Sequence, residues 1–208
     1  IRYWLNQSGN GWGEEQRLLR HLGVENTAQV QVSDLRGDGT SCVVWSSPLL
    51  RDGHAPLRYV RLMSEGKPYL LRTIANNLGR TTTLEYTPST SFYVEDRRAG
   101  TPWATRLPFP VQCLSRVTVE DSVTGLSVVS RFAYHHGYFD GIEREFRGFG
   151  KVEQWDAESF PAGAVTTDLP PVRTVTWFHT GAWKEDRPLQ DAFAEEYFAG
   201  DTRAFART

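Results

Sequence analysis

The feature that most limits how this chain can fold is a recurring short run in which polar and apolar residues alternate with period two, followed by a turn signal. Ile1, Tyr3 and Leu5 alternate with Arg2 and Trp4, Thr82, Leu84 and Tyr86 with Thr81, Thr83 and Glu85, and Val117 and Val119 with Arg116, Thr118 and Glu120. Successive side chains of a strand point to opposite faces, so each run reads as a half-buried strand. Between the runs stand Ser8-Gly9-Asn10-Gly11, Gly37-Asp38-Gly39, Asn76-Asn77-Leu78-Gly79, Asp121 to Gly125 and Asp140-Gly141. Their Gly, Asn and Asp residues supply the positive φ that tight reversals need. A mainly β fold built from antiparallel hairpins follows.

Two hairpins are predicted in particular, over 69–86 through Asn76 to Gly79 and over 115–134 through Asp121 to Gly125, with a further strand over 172–179 after Pro170-Pro171. One short C-terminal helix is predicted over 189–199. Leu189, Ala192, Phe193 and Tyr197 form a stripe there, Pro188 precedes it and Gly200 can end it. Residues 14–20 read as either helix or strand. The tail 201–208 has little to bury and is expected to fray or to belong to structure beyond it. Ser64-Glu65-Gly66-Lys67-Pro68 reads as a junction, dividing the chain into 1–63 and 64–208; a softer boundary lies across 162–171.

Composition narrows the function. With 39% hydrophobic and 23% charged residues among 208, the chain lies far from the compositions of disordered proteins. Its 23 basic residues nearly balance 25 acidic ones, so no net field favours nucleic acid or anionic membrane surfaces. No apolar stretch reaches the ~18 residues of a membrane-spanning helix. The start at Ile1, with no Met and no signal-like pattern, reads as a cut into a folded region. Cys42 and Cys113 lie far apart in no metal spacing and read as two buried free thiols.

Three constellations could carry chemistry. Asp34-Leu35-Arg36-Gly37-Asp38-Gly39-Thr40 resembles a calcium loop, but Arg36 stands where an oxygen ligand belongs, and Cys42 stands where a further Asp is usual. Asp34 and Asp38 are therefore expected to bond their own loop. His135-His136, with Asp140 and Glu143 close behind, suggests a metal or acid/base site. In a continuous strand, however, the two imidazoles face opposite ways. The seven Trp could form a sugar-stacking platform, although Trp4, Trp45, Trp155 and Trp177 lie in strand-like runs where core packing is the usual fate. No nucleophile elbow or phosphate-binding Gly loop is present. No catalytic, metal-ligating or cofactor-binding residue is assigned, and no enzyme is expected.

The string from Tyr134 through Gly150, Tyr-His-His-Gly-Tyr-Phe-Asp-Gly-Ile-Glu-Arg-Glu-Phe-Arg-Gly-Phe-Gly, resembles the middle region of the B component of bacterial insecticidal Tc (toxin complex) toxins. Tyr3 to Trp12, Val43 to Leu49, Asn76 to Gly79, Tyr86 to Thr90, Thr105 to Val111 and Thr176 to Gly181 agree in the same order. The resemblance implies a secreted, noncatalytic scaffold without cofactor. In it, residues 1–63 end a β-propeller that gates the pore-forming A component, with the Asp34 loop a degenerate blade motif. Residues 64–208 begin an Rhs/YD-type β shell, built with the C component, that encloses a cytotoxic effector. The resemblance further implies that Tyr138-Phe139-Asp140-Gly141 and Glu145 to Gly150 act as aromatic-Asp-Gly turns, with both His in that corner. The alternative is a β module that recognises host glycan or protein.

Overall fold

The computed structural model describes residues 2–17, 28–63, 66–159 and 171–182, with Asp191 and Ala194. The chain divides into two units, Ile1–Leu35 with Thr40–Ser64, and Arg36–Gly39 with Glu65–Thr208.

In the first unit, β1 (Arg2–Tyr3) pairs with β2 (Gln16–Arg17), and β3 (Gln29–Ser33), β4 (Cys42–Ser46) and β5 (Leu57–Arg61) form an antiparallel sheet in that order. The uninterrupted apolar run of β4 has a physical outcome: Cys42, Val43, Val44 and Trp45 are all buried, as in a central strand covered on both faces. Of the strand expected over the first five residues, only Arg2 and Tyr3 are strand among the described ones. Trp4 and Leu5 are 48% and 43% exposed, because the chain leaves the ladder to turn at Ser8 and Gly9, both with positive φ. Gln16 and Arg17 are strand, which settles the described part of 14–20 against helix.

The second unit is a six-stranded antiparallel meander. Its strands are β6 (Thr73–Ala75), β7 (Arg80–Pro88), β8 (Gln112–Asp121), β9 (Ser127–Asp140), β10 (Glu145–Ser159) and β11 (Val172–Trp177), and their order across the sheet is their order in sequence. Both predicted hairpins are present, as is the strand after Pro171. At their tips a side-chain carbonyl or carboxylate replaces the missing ladder bonds: Asn76 Oδ1 accepts from the amides of Leu78 and Arg80 at 2.8 and 2.9 Å. Asp121 Oδ1 accepts from Val123 and Thr124 at 2.9 and 3.3 Å, bonds that hold the Asp121 carboxyl below its usual range.

One element departs from the sequence reading. Helix α1 (Ser89–Ala99) fills the connection from β7 to β8, where no helix was predicted. Its sheet-facing stripe is Ser89, Phe92, Tyr93 and Asp96, a helical spacing hidden because two of its four members are polar. Gly100, in the left-handed conformation at φ 84°, ends it, and Arg97 and Arg98 sit in its last turn, where cations complement the helix dipole. The helix predicted over 189–199 lies outside the described residues except for Asp191 and Ala194, both helical, and the tail 201–208 lies outside them entirely.

Mostly half-buried aromatic rings pack this unit together. Phe92, Tyr134, Phe149, Trp103 and Tyr93 form a connected chain of ring contacts, extended from Phe149 through Phe146 and Phe109 to Phe139. Centroids lie 5.0 to 6.5 Å apart and planes meet at 53° to 88°, the tilted and edge-to-face geometry that ring quadrupoles favour. Gly137, paired with Phe149, makes the chain fit: a Cβ there would lie 2.7 Å from the Trp103 ring and 2.9 Å from Leu107.

Candidate functional site

The sequence motifs do not converge. His135 and His136 part as strand geometry requires, and the φ of 55° at His136 adds a local kink. His136 Nδ1 accepts from the amide of Ala104 at 3.1 Å, while His135 Nδ1 meets Asp96 Oδ2 at 2.6 Å. Asp140 Oδ1 accepts from the amides of Ile142 and Glu143, so Asp140 turns the chain as the aromatic-Asp-Gly comparison expected. The carboxylates of Asp140 and Glu143 lie 3.8 and 2.6 Å from Arg147. Two expectations are corrected. Glu145 to Gly150 is not a turn but the start of β10, with a β-bulge between Phe146 and Gly148 relieved by φ 96° at Gly148. The two His sit within β9, short of its turn, because β9 runs on to Asp140. Among the described residues no three His, Cys, Asp or Glu side chains are grouped to hold a metal.

Within the Asp34 to Thr40 stretch, the carbonyls of Gly37 to Gly39 are otherwise engaged. Carbonyls of Gly37, Asp38 and Gly39 accept from Thr90 Oγ1 at 2.5 Å, Gln112 Nε2 at 2.7 Å and Lys67 Nζ at 2.8 Å. Arg36 lies 3.6 Å from the Asp38 carboxylate. A cation would have to displace donors already in place and approach a permanent guanidinium. Asp38 thus belongs to an anchored turn.

Trp45 is buried and Trp155 and Trp177 are partly buried, but Trp4 and Trp12 stand 48% and 69% exposed. Both cysteines are free and buried, and burial pushes the Cys113 thiol up to about 12. Burial likewise pushes Tyr134 up to about 12, its hydroxyl donating to the Leu114 carbonyl at 2.9 Å.

The connected polar network of the second unit is one the sequence did not disclose. Asp96 Oδ2 accepts from Trp103 Nε1 at 2.6 Å and holds His135 Nδ1, joining α1 to the sheet. On the far side of the ring, Glu153 Oε1 lies 3.9 Å from His135 Nε2, 3.3 Å from Lys151 and 2.8 Å from Arg173. Its members are spread from 96 to 173 and only cross-strand register brings them together, so no local motif could have signalled them. The arrangement fixes a helix on a sheet and presents no nucleophile with an adjacent base.

Burial alone would raise the Glu153 carboxyl, but the hydrogen bond and charge of Arg173, with Lys151, outweigh it and hold it below its ordinary 4.5. A depressed carboxyl stabilises the fold above its unfolded value and loses that contribution as pH falls through the folded value. Urea unfolding is therefore expected to show stability falling below about pH 4.5. Glu153→Gln should be less stable than wild type at pH 7 and should lose less on acidification. Equal acid limbs in the two proteins would remove Glu153 as a cause.

A family model described as insecticide toxin TcdB middle/N-terminal region matches residues 17–181. The fold matches the Photorhabdus luminescens Tc holotoxin pore carrying a TccC3 mutation, at 34% identity and TM-score 0.78, over 95% of this chain and 9% of that one. It also matches crystal structures of TcdB2-TccC3 without the hypervariable C-terminal region (32%, TM-score 0.78, 97% and 9%) and of TcdB2-TccC3 (32%, TM-score 0.78, 95% and 9%). Comparison with curated proteins gave no match. The chain belongs to the TcdB middle/N-terminal region family, as a middle region of the B component of insecticidal Tc toxins. It spans about 9% of the length of the chains it matches.

Proposed function

We propose that this segment is a noncatalytic scaffold within a secreted toxin complex, in which the first unit ends a gate propeller and the second begins a hollow β shell around a cytotoxic effector. The observation that carries the reading is the open meander. Among the described residues, β6 and β11 each pair on one side only. Unpaired strand edges invite further strands, and natural monomers blunt or cover them. Tyr69, Leu71, Ile74 and Val172, at or beside those edges, are 80%, 58%, 49% and 65% exposed, an apolar content suited to a continuing sheet. The division of the chain near residue 64 supports a join between two modules. The C component as shell partner is supported by the match to TcdB2-TccC3. The A component as pore partner is supported by the match to a holotoxin pore.

Size-exclusion chromatography with light scattering tests this. Alone, the chain should self-associate through its edges; co-expressed with a TccC3-type polypeptide, the B-component protein that carries it should elute as one discrete particle. A compact monomer that ignores that partner would sink the scaffold reading.

A further inference from the structure

Cross-strand register places an arginine row on the sheet of the second unit. Glu85 pairs with Arg116, Arg116 with Arg131, Arg131 with Trp155, and Trp155 with Arg173. Residues directly opposite one another share a face, so these five side chains cross β7 to β11 in a line of about 19 Å. The ends of the row have partners. Arg173 donates to Glu153 at 2.8 Å and lies over the Trp155 ring at 5.9 Å, and Arg116 reaches toward Glu85 at 3.8 Å.

The middle does not. The Arg131 side chain is exposed and makes no hydrogen bond or ion pair among the described residues, and directly opposite it stands a second guanidinium. Like charges in that position oppose each other. Arg116 Nε is buried without a hydrogen-bond partner. A cavity of about 640 Å³ opens over this point, its walls including Arg116, Arg131, Val129, Phe132, Trp155 and Ala157. It lies on the face that α1 covers at His135, four residues or about 13 Å further along β9.

We infer that this cavity docks an extended polypeptide segment whose carboxylates bridge Arg116 and Arg131 while an apolar side chain rests on Trp155 and Val129. Charge complementarity selects the carboxylates: a bridging carboxylate relieves the repulsion between the two guanidiniums. The apolar walls select a peptide over a free anion, which would gain nothing from them. The overall charge of −2 gives no field to gather a polynucleotide. Alternate residues of an extended peptide face one way, so acidic residues two apart would present both carboxylates to the row.

Fluorescence anisotropy of labelled, blocked Leu-Glu-Phe-Glu-Leu, with Leu-Gln-Phe-Gln-Leu and a thymidine decanucleotide as comparators, tests the inference on the full chain. The Glu peptide should bind, the Gln peptide about ten-fold more weakly, and Arg131→Gln should weaken the Glu peptide by about the same factor. Arg58→Gln, on the first unit, should leave binding unchanged. Arg131→Gln should not lower the melting temperature, since it removes a like-charge pair; a purely structural arginine would. No binding, equal binding of the two peptides, preference for the oligonucleotide, or Arg131→Gln binding like wild type would each overturn the assignment, and the two-peptide comparison needs no variant to fold.

Discussion

Gly137→Ala is expected to lower the unfolding free energy by about 3 kcal/mol, the upper end of what overpacking usually costs. The new methyl would lie 2.7 Å from Trp103, 2.9 Å from Leu107 and 3.1 Å from Phe149. Rings locked edge to face at the meeting point of the aromatic chain cannot step aside without disturbing Tyr93, Phe146 and Tyr134 in turn. Urea unfolding gives the loss, and near-ultraviolet circular dichroism should report weakened aromatic order. A change under about 0.5 kcal/mol would mean that the cluster yields easily and is not a packed core.

Asp96→Ala should cost a similar amount, about 3 kcal/mol, because it strands the Trp103 indole N–H and leaves His135 Nδ1 without its carboxylate, both in partly buried surroundings. Asp96→Asn keeps one acceptor and should recover roughly half. A double-mutant cycle with His135→Ala separates this contact from the rest of the helix. A coupling near zero would show that the Asp96–His135 contact does not help hold α1.

The β architecture was legible because period-two runs and Asn, Asp and Gly turns are local signals. Asn76, Asp121 and Asp140 act where the residue types said they would. Helix α1 was not legible: Ser89 and Asp96 face the protein for their hydrogen bonds, so an apolar count misses the stripe. The bulge at Gly148 was misread as a turn because a glycine with positive φ serves both. The histidine pair drew attention by adjacency, yet the partners that matter, Asp96 and Glu153, come from elsewhere in the chain through register. The arginine row is invisible for the same reason, since Arg116, Arg131 and Arg173 fall into one line only once three strand pairings are known.

The central claim is that the second unit continues into a larger sheet, and hydrogen–deuterium exchange at its edges tests it most directly. The exchange of Thr73–Ala75 and Val172–Trp177 should be measured in the chain alone and in the B-component protein assembled with a TccC3-type polypeptide. The outward amides of both edge strands should exchange quickly in the chain alone, diluted below the concentration at which it self-associates, and become protected to the level of β8 and β9 in the assembly. Edges that exchange equally fast in both would contradict the claim and leave the meander an open sheet with no continuing shell.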